Sequence, residues 1–225
     1  MNNLLNYPAS CMVDSIVPKE KFYRFMEVNA AMKKRFVNDV ASITWLYKLS
    51  SQTLNVTGSD DMPEIEVFVA TLKGPDCPPD LFSFIDGNMP HHIVFILTYE
   101  DSAMFLVNYK EWTDSMHTKF RIIQTFTSPW MPIGALRLPV QGQSLNRIYE
   151  NFVASVSGIG EHKAGAMAEI VALKQRIAKM ETEIGKLEAK VRMEAQFSIQ
   201  MEMNKQVKAK RKELADLKEE LDKLK

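Results

Sequence analysis

Ile170, Leu173, Ile177, Met180, Ile184, Leu187 and Val191 recur at alternating spacings of three and four residues. That spacing keeps one apolar seam facing a partner along an underwound helix. Leu214, Leu217, Leu221 and Leu224 repeat it, and Val207 lies one heptad before Leu214. The two runs do not share a register. Between Val191 and Val207 a straight helix, turning about 100° per residue, would rotate the second seam by roughly 160° from the first. Two seams pointing in nearly opposite directions are reconciled by reversing the chain between Met193 and Asn204, which closes them on each other as an antiparallel hairpin. Each arm would be roughly 40 Å long at about 1.5 Å per residue. The rival is one continuous coiled coil, and it draws on the absence of Gly or Pro between Arg192 and Gln206 to make a turn. The hairpin is favoured.

Composition divides the chain at the same place. Every Trp, Tyr and Pro, and every Phe except Phe197, lies before about residue 160, while Ala, Glu, Lys, Leu and Met dominate after it. Aromatics and prolines build and punctuate a core, and their absence favours long helices. The expected organisation is therefore a globular domain over residues 1–160 and amphipathic helices over residues 161–225. The 28 basic and 28 acidic residues cancel, so bulk charge gives no drive toward nucleic acid or anionic membrane. The longest apolar stretches are strand-sized, far below the roughly 20 residues of a membrane helix. The first residues lack the basic start and apolar run of a secretory signal, so a cytoplasmic location is expected. With that location, Cys11 and Cys77 are expected as free buried thiols.

In the first region, Pro18 opens a helix through Met26, and Lys33 to Ala41 continues as a second. Ile43 to Leu49 is rich in aromatic and β-branched residues, as strands are. Glu64 to Val69 alternates polar and apolar side chains, the pattern of a half-buried strand. Pro79 starts a helix through Asp86. His92 to Tyr99, Ala103 to Tyr109 and Lys119 to Phe126 read as further strands, the first two a hairpin about Glu100-Asp101-Ser102. Leu138 to Val140 is read as a last strand, and Ser144 as the cap of a helix running toward Gly158. Strands and helices mix without regular βαβ alternation, which predicts an α+β fold with a mainly antiparallel sheet and flanking helices.

Chemistry is harder to find. A metal-dependent nuclease needs clustered carboxylates and a nearby lysine. Glu64 and Glu66 share a strand face, and Asp86 and Lys110 could join them only if the fold converges these segments. An edge strand with solvated glutamates is the preferred account of Glu64 and Glu66. His91-His92 precedes a strand, with His117 and His162 isolated; without further ligands at suitable spacing these read as surface or turn histidines and give no metal site. Gly158-Ile159-Gly160 lacks the strand and third glycine of a phosphate loop. Neither cysteine has a base beside it in sequence. No catalytic residue, cofactor or metal is assigned. Lys205, Lys208, Lys210, Arg211 and Lys212 form a basic stretch that could contact phosphates. The preferred account is a solvated helix face neutralised by neighbours such as Glu213 and Asp216.

Several segments, in order, resemble the bacterial domain of unknown function family four-three-nine-one. They are Ile16 to Tyr23, Lys34 to Val37, Ile43 to Leu49, Glu64 to Phe68, Ile85-Asp86 with Met89 to Phe95, Tyr109 to Glu111, Tyr149 to Phe152, and Lys190 to Phe197 with Asn204. Gly87-Asn88 departs from the Lys-Ala type of pair associated with that family. The resemblance implies no activity. It implies genomic company: helicases and DNA methyltransferases in restriction-like or anti-phage gene clusters.

The expectation is thus a non-enzymatic interaction or scaffold protein, an accessory of such a DNA-processing system. Its partner would be a protein such as a helicase or DNA methyltransferase, or a second copy of the chain in a homodimer. The alternatives are a metal-dependent nuclease-like enzyme through Glu64, Glu66, Asp86 and Lys110, and a direct nucleic-acid binder through Lys205 to Lys212. No membrane contact is expected.

Overall fold

Four long apolar runs form the centre of a seven-stranded sheet: β2 (Val40–Ser50), β3 (Glu64–Leu72), β4 (His92–Tyr99) and β5 (Ser102–Trp112). In the computed structural model, which describes residues 4–76, 79–113, 120–160, 162–163 and 165–224 and only the backbone of Phe25, these strands are buried on both faces for most of their length. β1 (Met12–Ile16) and β6 (Phe120–Thr127) lie at the two edges, giving the order β1-β2-β3-β4-β5-β6, and the two-residue β7 (Met131–Pro132) pairs with β5. Every pairing is antiparallel except β3 with β4. Those two are joined by helix α4 (Pro79–Gly87), and a parallel neighbour requires such a crossover. β4 and β5 are joined by a tight turn in which Glu100 takes a left-handed φ of 51°. The fold is α+β with a mostly antiparallel sheet.

Two sequence expectations change here. β3 is interior, flanked by β2 and β4, so it is not an edge strand with solvated glutamates. Its polar-apolar alternation is real, but its polar side is covered as well. Leu138 to Val140 forms no strand; Pro139 has no N–H to give a ladder. Leu138 instead serves the core as a buried side chain, and its carbonyl accepts from the Tyr7 hydroxyl at 2.6 Å. β1 was not foreseen. It is short and outward-facing, with Ile16 exposed, so it lacks the apolar pattern that marks a strand.

The helices of this unit cover the sheet. α1 (Lys19–Phe25), α2 (Ala30–Asp39) and α4 enclose one core cluster that includes Phe22, Phe36, Ile43, Phe68, Phe82, Phe95 and Leu106. Burying each such side chain contributes about 1.5–3 kcal/mol. α2 starts where the Asn29 side chain accepts from the Met32 N–H at 2.8 Å, and α5 (Leu145–Ser157) where Ser144 accepts from Arg147 N–H at 3.3 Å. α5 ends at Gly158, whose φ of 67° suits a residue without Cβ. It buries Leu145, Ile148, Tyr149, Phe152 and Val153. A four-residue helix, α3 (Ser51–Leu54), follows β2 through a reciprocal Ser50–Thr53 cap.

The chain divides into two units, Met1–Gly160 and Glu161–Lys225. The second is a helical hairpin of α6 (Met167–Met193) and α7 (Phe197–Lys223), 27 residues each. Ile170, Leu173, Ile177, Ile184, Val207, Leu217 and Leu221 are buried, and Met180, Leu187, Val191, Leu214 and Leu224 are half-buried. The seams face each other. Lys210 with Glu183 at 2.6 Å, Arg211 with Glu188 at 2.7 Å and Lys218 with Glu181 at 2.8 Å bridge the arms. The reversal needs neither Gly nor Pro. Glu194 and Gln196 adopt extended backbone, and the Glu194 carboxylate accepts from the Gln196 N–H at 2.8 Å. A side chain thus supplies the acceptor that a tight turn would take from the backbone. Among the described residues no helix is long and apolar enough to cross a membrane.

Candidate functional site

Because β3 and β4 run parallel, both begin at the same end of the sheet; β2 and β5, antiparallel to their neighbours, end there. Four segments distant in sequence therefore meet: Lys48 near the end of β2, Glu64 and Glu66 at the start of β3, His91 and His92 at the start of β4, and Asn108 and Lys110 toward the end of β5. α4 ends beside them and brings Asp86. The four residues of the nuclease reading do converge on one end of the sheet. They do so as two adjoining groups with different chemistry.

The first group is Asp86 with Lys110. Neither side chain has exposed area, and the Lys110 ammonium donates to Asp86 Oδ1 at 2.6 Å, to the Asp86 carbonyl at 2.9 Å and to the His91 carbonyl at 2.8 Å. An ammonium has three donors. All are used. Asp86 Oδ2 accepts from Asn108 Nδ2 at 2.8 Å, and the Asn108 side-chain oxygen accepts from the Ser83 and Thr125 hydroxyls at 2.9 and 2.7 Å. Burial raises the Asp86 carboxyl and lowers the Lys110 ammonium from their ordinary values, while each draws the other back toward its charged form. Lys110 also lies 3.9 Å from the centre of the Phe120 ring. This group is a clip: a cation from β5 caps the Asp86 carbonyl in the last turn of α4, favoured at a helix C-terminus, and holds the loop that carries His91.

The second group is Glu64, Glu66 and His91, which can each offer one ligand atom within 4.8 Å of the others. Lys48, opposite Glu66 in the β2–β3 register, pairs diagonally with Glu64, and His91 Nε2 stands 3.4 Å from Glu64 Oε1. Glu66 is 4% exposed, yet its Oε2 has no partner; His91 Nδ1 is likewise buried and unpartnered. Leaving such an atom unsatisfied costs about 1–3 kcal/mol. Burial, and then the neighbouring Glu64, hold the Glu66 carboxyl up to about 7. Burial also lowers His91, against the pull of Glu64. The first group is saturated and the second is not.

His91 sits in the bend before β4, a turn histidine as its sequence suggested, but His92 and His162 are not surface residues. His92 is buried edge-on between Phe120 and Tyr149 at 4.9 and 4.6 Å, and burial, then Lys110, keep it neutral well below its usual range. His162, in the other unit, is buried too. His117 and Cys77 lie outside the described residues, while Cys11 is a free buried thiol. A cleft of about 260 Å³ adjoins the clip, walled by Met62, His92, Trp112, Phe120 and Tyr149 among others.

In the basic stretch, Lys205 pairs with Glu202 at 3.7 Å, Lys210 with Glu183 and Arg211 with Glu188. Two of these acids belong to the opposite arm. Lys208 and Lys212 are exposed on α7.

A family model described as Domain of unknown function (DUF4391) matches residues 5–214. No curated protein and no solved structure matches the chain.

Proposed function

The chain belongs to the DUF4391 family, and we propose that it is a non-enzymatic interaction protein whose helical hairpin presents its apolar end to a protein partner. One observation carries this. The hairpin consumes its seams internally, yet at the bend Met193 is 88%, Phe197 72% and Met201 49% exposed, with Ile199 beside them. Exposed large apolar groups gathered at one end of an element mark an interaction surface, and methionines adapt to the shape of what they meet. Lys190, Arg192, Lys205 and Lys208 exceed Glu188, Glu194 and Glu202 by one around this end, so the matching partner surface is an apolar recess whose rim is at most mildly acidic.

The setting we propose is a bacterial restriction-like or anti-phage DNA-processing system, with a helicase or DNA methyltransferase as the partner. Its support is the genomic company that the family resemblance implies. A cytoplasmic location agrees with the free Cys11 thiol. The nuclease-like alternative has less support, because a lysine that steadies a phosphate needs a free donor and Lys110 has spent all three. Direct nucleic-acid binding through Lys205 to Lys212 is weakened by the three ion pairs there.

The test is tagged purification from the native host of the wild-type chain and of a Met193→Ser, Phe197→Ser, Met201→Ser variant, followed by reconstitution with the captured protein. The expected result is a stoichiometric complex for the wild type and none for the variant. A complex of equal strength with the variant, or a lone monomer that turns over DNA, refutes the reading.

A further inference from the structure

We propose that Glu64, Glu66 and His91 form a binding site for one divalent first-row transition-metal ion, at the amino ends of β3 and β4. The site is independent of the hairpin and requires no partner there. Three features support it. The donors are already gathered: one atom from each lies within 4.8 Å of the other two. Ligand bonds of about 2.0–2.2 Å around a tetrahedral ion place donor atoms about 3.4 Å apart, so side-chain rotation of modest extent completes the triangle. Next, the group contains buried acceptors with nothing to accept from. Glu66 Oε2 and His91 Nδ1 are both sealed from solvent and unpartnered, although buried polar atoms are normally satisfied. Lys48 makes its ion pair with Glu64 and reaches Glu66 only through its field, leaving Oε2 without a donor.

The third feature is charge. Two carboxylates and a neutral imidazole balance a divalent ion, whereas the cations facing the group leave it short. Lys48 from β2 is committed to Glu64, and Lys110 from β5 to Asp86 and the His91 carbonyl. Holding that carbonyl fixes the backbone from which the His91 ring projects, so the clip positions a ligand it does not touch through its side chain. The donor set also selects the ion. An imidazole with two carboxylates suits Zn²⁺ or Mn²⁺, while Ca²⁺ seeks six to eight oxygens. Three protein ligands leave one position of a tetrahedral ion open, and the half-exposed side chain of His91 lies on the solvent side of the group.

Calorimetric titration of the full, untagged chain with ZnCl₂, MnCl₂ and CaCl₂ at pH 7.5, after chelator treatment, tests the proposal. One equivalent of Zn²⁺ or Mn²⁺ should bind, with Ca²⁺ at least tenfold weaker. Glu66→Gln, nearly isosteric, and His91→Ala, at a half-exposed position, should each weaken binding at least tenfold while circular dichroism and thermal midpoint show folded protein. Lys48→Met should tighten it, because it removes the competing ammonium; a purely structural Lys48–Glu64 pair gives no such gain. X-ray absorption of the zinc-loaded protein should show imidazole and oxygen ligands without sulfur. Stoichiometric binding untouched by Glu66→Gln and His91→Ala, equal affinity for Ca²⁺, a sulfur ligand, or no binding at all would each overturn the site.

Discussion

Replacing Lys110 by Met removes the ammonium but keeps most of the buried stem, so it isolates the charge. The Asp86 carboxylate is then left fully buried with only Asn108 and the Ile93 N–H as donors. Breaking one side of a buried pair costs about 3–5 kcal/mol, and the chain can limit that cost by protonating Asp86. Protonation at pH 7 of a carboxyl whose unfolded value is about 3.9 costs about 4 kcal/mol, at about 1.4 kcal/mol per pH unit, and at pH 5 only about 1.5 kcal/mol. The Asp86 and His91 carbonyls lose their donor as well, which adds about 1–2 kcal/mol at any pH. Lys110→Met should therefore be less stable than wild type by about 3–6 kcal/mol at pH 7 and by only about half as much at pH 5. The Asp86→Asn, Lys110→Met double variant should recover part of the loss and show none of its pH dependence. Urea unfolding between pH 5 and 8, followed by tryptophan fluorescence, is the assay; Trp45, Trp112 and Trp130 all lie in the first unit. A loss under about 1 kcal/mol at pH 7, equal at pH 5, would falsify the buried ionic clip.

Glu66 offers a second pH dependence, of the same sign but present in the wild type. Its carboxyl is held up to about 7 against an ordinary 4.5, so the folded state keeps the proton that the unfolded state releases, and metal-free stability should fall by up to about 3 kcal/mol between those pH values and level off above them. Glu66→Gln, measured in chelator, should flatten that slope and exceed the wild type above pH 7; an unchanged slope contradicts the assignment. In the hairpin, Leu217→Ala deletes a buried seam side chain and should cost about 2–4 kcal/mol by thermal circular dichroism, whereas a loss under about 0.5 kcal/mol would mean that the arms do not close on that seam. Gly158→Ala places a Cβ at φ 67° with open space around it, so the penalty should be about 1 kcal/mol from backbone conformation alone, and a larger loss in urea unfolding would point to a clash instead.

What could be read without coordinates was local. The spacing from Ile170 to Val191, the cap at Ser144, the helix opened by Pro79 and the apolar run from His92 to Tyr99 each carry their signal within a few residues. The hairpin followed from a register count between two local patterns. The site did not, because each of its members finds its partner through the sheet. Glu66 is buried only since β2 and β4 flank it, and His91 meets Glu64 across 27 positions of chain. One signal was present and unused. Strand, helix and strand occur in succession from Glu64 through Pro79 to His92, and a single such unit brings its strands together in parallel, most often as neighbours. Parallel neighbours start at the same end, so acids at the start of one and histidines at the start of the other must approach. The absence of repeated alternation along the whole chain argued correctly against a parallel fold. It was no argument against one parallel pair, and that pair is what turns two solvated-looking glutamates and a turn histidine into a cluster.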